Sequence, residues 1–149
     1  LQEGGYLRPD TDRKRMKQAK LPPMRFESTD GYPIYVGRNN RQNDELTFRL
    51  ARKDDIWCHA SKVHGSHVII SCGGTTPPDD TVTQAAQLAA YYAETGGGQN
   101  IPVDVTAVKQ VKKIPNGKPG MVIYHTYRTV IANPYPDIVV DALNAETKE

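Results

Sequence analysis

Long apolar runs are missing from this 149-residue chain. No stretch approaches the roughly 18 consecutive apolar residues that a bilayer-spanning helix needs, and the start, Leu1-Gln2-Glu3-Gly4-Gly5, has no basic-then-apolar leader pattern. No membrane association is expected, and the chain reads as cytosolic. It begins with Leu rather than Met, which suggests a segment of a longer protein. Cysteine is scarce as well. Cys58 and Cys72 are the two present and could in principle pair, but each lies in a strand-like run and a chain of this size needs no staple, so reduced thiols in a reducing compartment are expected. The phosphate-binding loop of nucleotide hydrolases and the dinucleotide fingerprint are also absent; Gly96-Gly97-Gly98 follows a helical pattern rather than a strand and reads as a stop signal. What remains is 38% hydrophobic and 24% charged, enough for one modest core in one domain.

Two stretches lack negative charge altogether. From Arg13 to Arg25 there are six basic residues and no acid, and from Val105 to Pro136 there are five (Lys109, Lys112, Lys113, Lys118, Arg128) and again no acid. The net charge of +2 hides this, because acids such as Asp137, Asp141, Glu146 and Glu149 collect in the tail. A fold that joins the two stretches with Arg38, Arg41, Arg49 and Arg52 would carry a polyanion-binding face, as nucleic-acid or ribosome contact requires. The alternative is an ordinary solvated surface.

Residues 1–22 have almost no apolar periodicity and read as a basic linker closed by Pro22-Pro23. Met24 to Glu27 and Pro33 to Val36 are extended stretches around the turn signal Ser28-Thr29-Asp30-Gly31, which predicts a hairpin. Gly37 to Asn43 reads as a polar loop, with Asn43 or Asp44 capping a short helix whose Leu46, Leu50 and Ala51 recur at helical spacing. Strands are predicted over Ile56 to Ala60 and His67 to Cys72, and a long helix from Thr81 to about Glu94, capped by Asp79 or Asp80 and rich in alanine. A strand from Val103 to about Ile114, a long turn and a last strand from Met121 to Ala132 follow. The order predicts an α+β fold: a mainly antiparallel sheet with one long and one short helix packed on it, spanning residues 23–133 before an acidic tail at 134–149.

The densest chemistry lies in Asp54-Asp55-Ile56-Trp57-Cys58-His59 and His64-Gly65-Ser66-His67. Three of the four histidines fall within nine residues. Period-two geometry puts Trp57 and His59 on one strand face with His67 at the start of the neighbouring strand, while Cys58 points the other way. Imidazoles are common zinc ligands, but the spacing matches no ligand signature, so no metal or other cofactor is expected. A His-centred hydrolase or nucleotide-processing enzyme built on Asp55, His59, Ser66 and His67, or on Cys58 as nucleophile, is open in composition alone. The structural alternative makes Trp57 a core anchor and His67 a hydrogen-bonded turn residue. Against it, Arg38, Asn39, Asn40, Asn43, Trp57, His59 and Ser66 are planar and hydrogen-bonding groups suited to phosphate, ribose and exposed bases.

These residues also carry a family pattern. The stretch Asp30-Gly31-Tyr32-Pro33-Ile34-Tyr35-Val36-Gly37-Arg38-Asn39-Asn40-Arg41-Gln42-Asn43, then Asp55-Ile56-Trp57-Cys58-His59 and Gly65-Ser66-His67-Val68-Ile69-Ile70, closely resembles the NFACT-R domain. Thr83 to Tyr92, Val105 to Lys113 and Lys118 to Tyr124 fit as well, so the likeness covers about residues 24–133. Cys58 and His64 depart from the pattern, which usually has a bulky apolar residue and a proline there. The resemblance implies the C-terminal domain of bacterial NFACT proteins, once described as fibronectin-binding and understood as ribosome quality-control factors. It implies a parent with preceding NFACT-N and coiled-coil domains that binds tRNA and the large ribosomal subunit carrying a stalled nascent chain, and promotes alanine tailing of that chain. Carried over motif by motif are Arg38, Asn39, Asn40, Asn43, Asp55, Trp57, His59, Gly65, Ser66, His67, Lys109, Lys112 and Lys113. From their chemistry and charge these are expected to contact RNA without catalysis; a protein-binding, adhesin-like module is the remaining alternative.

Overall fold

Asp30 and Gly31 turn the chain where the sequence predicts. Met24–Glu27 (β1) pairs antiparallel with Pro33–Val36 (β2), Met24 opposite Val36 and Glu27 opposite Pro33. The computed structural model describes residues 21–95 and 98–134. The basic linker up to residue 20, Gly96-Gly97 and the acidic tail from residue 135 lie outside the described residues.

After β2 come a helix at Asn40–Glu45 (α1), continued as a π-helical turn at Leu46–Leu50, then Ile56–Ala60 (β3), Val68–Ile70 (β4) and a helix at Asp79–Tyr91 (α2). Ile101–Ala107 (β5), Lys112–Lys113 (β6), Val122–Ile123 (β7) and Arg128–Ala132 (β8) complete the chain. Six strands form one antiparallel sheet in the order β1-β2-β4-β3-β5-β8, and β6 and β7 form a separate two-stranded ribbon. The α+β architecture with one long and one short helix is therefore the observed one.

Four local expectations are corrected. The short helix is capped by Asn39, whose side chain accepts the backbone N–H of Gln42 at 2.9 Å, not by Asn43 or Asp44. Beyond Glu45 the bonding widens: Ala51 N–H donates to the Leu46 carbonyl, a five-residue step. Leu46 and Ala51 thus share a side, while Leu50, expected on the apolar stripe, is 57% exposed. The long helix begins at Asp79 with Pro78 in the capping position, so Asp79 and Asp80 sit in its first turn, favourable to the helix dipole, rather than capping it. The last strand is split in two, because its first part covers one face of the large sheet while its second part pairs with the edge of β5.

Alternation along the strands separates two layers. Cys58, Val68, Ile70, Val103 and Val105 point to one face, where α2 lays down Ala85, Ala86, Leu88, Ala89 and Ala90, all fully buried. Alanines bring the helix backbone close to the sheet without loss of packing density. Trp57 and Ile69 point to the opposite face, covered by Leu46 and Phe48 of the α1 segment and by Val111, Val122 and Tyr124 around the β6–β7 ribbon.

Candidate nucleic-acid interface

Antiparallel pairing of β3 with β4 sets Cys58 opposite Val68, which brings His59 beside His67; their rings meet edge to face with centroids 5.5 Å apart. Trp57 lies between them and the ribbon, stacked on His59 at 5.6 Å and edge-on to Tyr124 at 4.8 Å. It is fully buried, so Trp57 is a core anchor and offers no free face for a base. Its indole Nε1 is buried without a hydrogen-bond partner among the described residues.

His67 is a structural hub. Its Nε2 donates to the Gly120 carbonyl at 3.1 Å, which leaves Nδ1 to accept the Thr47 hydroxyl at 2.7 Å, the neutral tautomer. Its backbone N–H donates to the Asn43 side chain at 3.0 Å. Burial pushes the His67 pKa down to about 3, with the neighbouring His59 acting in the same direction. This hub needs Gly37: a Cβ there would lie 1.9 Å from the Asn43 side-chain oxygen. Gly120, at φ +87, lets the turn before β7 approach α1 closely and place its carbonyl on His67.

His59 is half-buried, and burial lowers its pKa against the pull of the Asp104 carboxylate. Asp104, its cross-strand partner on β5, is buried and accepts hydrogen bonds from the Tyr124 hydroxyl at 2.5 Å and the Thr129 hydroxyl at 3.2 Å. Burial and the Asp104 carboxylate both raise the Tyr124 pKa, so the phenol stays a donor.

The hydrolase constellation does not assemble. Asp55 lies at the opposite end of β3, roughly 13 Å of extended chain from His59, where its carboxylate accepts the backbone N–H groups of Arg52, Cys72 and Gly73. Cys58 faces α2, fully buried, and burial pushes its thiol up to about 12. Both cysteines are free, and the Cys72 thiol is likewise raised by burial. Among the described residues no group of three or more histidine, cysteine or acidic side chains could hold a metal ion.

Of the other residues singled out in the sequence, Arg38 is half-buried and its Nε donates to the Pro22 carbonyl at 2.7 Å. Asn39 is occupied as the cap, whereas Asn40 is exposed. Gly65 bridges Ala93, and the Ser66 N–H donates to the Tyr92 carbonyl at 3.3 Å; both tie the β3–β4 loop to the end of α2. Lys109 and Lys112 are exposed, and Lys113 pairs with Asp44 at 2.8 Å.

What the fold does assemble is a cationic groove that the sequence revealed only in part. Lys109, Lys112 and Lys113 meet Lys53 around an apolar floor of Phe48, Ala51, Val108 and Val111, enclosing about 270 Å³ with no acidic side chain in its lining. Lys53 lay in no basic run; it enters because the Lys109 N–H donates to its carbonyl at 3.0 Å. Thr47, Asp104 and Tyr124 were missed too, being polar positions whose partners are distant in sequence.

Residues 23–126 match the family described as the NFACT protein RNA binding domain. The chain is 44% identical over 143 residues to the Rqc2 homolog RqcH of Bacillus subtilis, covering 94% of this chain and 25% of that protein. It is 42% identical over 135 residues to the Rqc2 homolog RqcH of Streptococcus pneumoniae, covering 90% and 24%. The chain thus spans about a quarter of the length of these curated relatives. Its fold matches the C-terminal part of the fibronectin/fibrinogen-binding protein from Streptococcus suis, with a TM-score of 0.77, 40% identity, and coverage of 82% of this chain and 49% of that one.

Proposed function

The chain belongs to the NFACT-R family of RNA-binding domains, and from that premise we propose that it is the RNA-binding module of a ribosome-associated quality-control factor. Its partners in this reading are tRNA and the large ribosomal subunit, its parent carries preceding NFACT-N and coiled-coil domains, and the whole promotes alanine tailing of stalled nascent chains in the cytoplasm. The module binds and positions RNA; it performs no chemistry of its own.

The observation that carries the reading is the lysine groove of Lys53, Lys109, Lys112 and Lys113. Four ammonium groups around an apolar floor, with Asp44 the one acid paired to them among the described residues, hold a phosphate backbone through counterion release rather than base readout. The proposed site residues divide by role. Arg38, Asn40, His59, Ser66, Lys109, Lys112 and Lys113 contact RNA, while Asn39, Asn43, Asp55, Trp57, Gly65 and His67 hold the surface that presents them.

A titration of labelled tRNA and of a matched single-stranded RNA at two salt concentrations tests this. The wild-type chain is expected to bind with strong salt dependence and to favour tRNA. Lys109→Glu with Lys112→Glu should weaken binding about tenfold or more at low salt and leave the melting temperature within a few degrees. Salt-insensitive binding, or none at tens of micromolar, would overturn the RNA reading and favour a protein partner.

A further inference from the structure

A second groove, of about 290 Å³, opens between the β3–β4 loop and the turn before β7. Its polar side chains are Lys62, Lys118, His59, His64, Asn40 and Tyr124, and no carboxylate is among its lining residues. Val63, Ile114, Met121 and Val122 supply an apolar wall. The apolar crevice beside Tyr35 and Leu50 is the opposite case, with Asp55 in its lining and no cation. The charge pattern therefore selects an anion with an apolar or planar body. The volume sits at the lower edge of small-ligand sites, which fits one nucleotide and excludes a duplex.

Lys62 gives the groove a second distinguishing mark. It has φ +60, a left-handed conformation that a Cβ makes costly. Among the described residues the other non-glycine positions with positive φ are Asn100 and Asn116, a type that tolerates this region. At Lys62, glycine or asparagine would be locally cheaper. Its side chain is exposed and forms no ion pair or hydrogen bond with a described residue, so no contact among the described residues rewards a lysine there.

Both walls are fixed before any ligand arrives. Ser61 N–H donates to the Pro102 carbonyl at 2.9 Å and Glu94 N–H to the His64 carbonyl at 2.8 Å, which pins the loop on either side of Lys62. Across the groove, Gly120 N–H donates to Asp44 at 3.2 Å and Met121 N–H to the Lys118 carbonyl at 3.1 Å. Groups held this way lose little freedom on binding.

We propose that this groove receives a single unpaired nucleotide of the bound RNA, its phosphate between Lys62 and Lys118 and its base against the apolar wall beside His59. The assignment rests on the RNA-binding reading above and names a subsite that the lysine groove does not include. Lys62→Gly is the discriminating variant, because it removes the charge and the backbone strain together. Its melting temperature should equal or exceed that of the wild-type chain, while affinity for a labelled single-stranded RNA falls about tenfold and the log–log salt slope drops by about one. Lys118→Ala should lose a similar factor, and both variants should bind a blunt RNA duplex as the wild-type chain does. Wild-type affinity and salt slope in both variants would overturn the subsite and leave the RNA reading standing. Equal losses on single-stranded and duplex RNA would also overturn it, reducing the two lysines to general phosphate contacts. Absence of RNA binding by the wild-type chain would overturn the RNA reading, and the subsite with it.

Discussion

The two faces of the sheet are built from different materials. Beneath α2 the layer is almost wholly apolar; among the nine buried polar residues described, Ser28 and Thr81 belong to that side, and they bond to each other at 2.8 Å. The remaining seven (Gln42, Asn43, Thr47, Asp55, His67, Asp104, Thr106) belong to the other face or its rim, where five buried apolar residues form the core cluster. An apolar layer is forgiving, because hydrophobic contact is non-directional. A polar layer is not, because each buried donor and acceptor must meet its partner in direction as well as distance. The first face supplies stability. The second fixes α1, the β3–β4 loop and the β6–β7 ribbon in the one arrangement that creates both cationic grooves.

Removal of the anchor of the second face should produce the largest effect. Trp57→Ala takes away the ring on which His59, His67 and Tyr124 rest and should cost about 3–5 kcal/mol in urea unfolding. If the comparison holds, the loss appears in near-ultraviolet circular dichroism of the aromatic cluster while the α2 signal in the far ultraviolet persists below the unfolding midpoint. A loss below about 1 kcal/mol would mean that the second face adds little to the stability of the domain.

How much of this was legible in the sequence follows from the same contrast. The α2 face obeys simple periodicities: alternation in Val103 and Val105, an apolar run at Val68 to Ile70, and helical spacing in the alanines. Patterns of this kind give β1, β2 and β3 their observed boundaries, and β4 and the long helix boundaries within about three residues of the observed ones. The second face obeys no period. A π-helical turn moves Leu50 off the stripe that a 3.6-residue repeat assigns it, and one apolar-looking strand divides between two sheets. The site was legible as a set of motif residues, but not which of them face solvent. Nothing local distinguishes Asn40, which is exposed, from Asn43, which is buried, because the backbone N–H that Asn43 accepts lies 24 residues away at His67. Lys62 and Lys53 carried no signal beyond being lysines.

The pH response should separate the faces next. His67 has a folded pKa of about 3 against an ordinary value of 6.5, so between those values the unfolded chain binds the extra proton. Stability from this neutral histidine is full above pH 6.5 and is lost as pH falls toward 3, with a slope approaching about 1.4 kcal/mol per pH unit. His59, also lowered by burial, adds to the same trend. Urea unfolding at pH 7 and pH 5 should therefore show a marked loss in the wild-type chain and a smaller one in His67→Gln. An unchanged pH difference in the variant would remove His67 from the account.

The smallest effect is expected at the edge of the second face, and it sharpens the division between holding and binding. Lys113 and Lys112 are neighbours in β6, yet Lys113 is engaged by Asp44, whose carboxylate also accepts the Gly120 N–H. The ammonium of Lys113 is about half exposed, so Lys113→Ala should cost less than about 1 kcal/mol of stability. Because its charge is partly neutralised by Asp44, its removal should also weaken tRNA binding less than Lys112→Ala does, and lower the salt slope by less than one. Asp44→Ala frees that ammonium and should narrow the difference between the two lysines when each is then removed in its background. If Lys113→Ala proves the more damaging of the pair for binding in the wild-type background, the ion pair is broken in the complex and Asp44 acts to aim Lys113 at the phosphate rather than to occupy it.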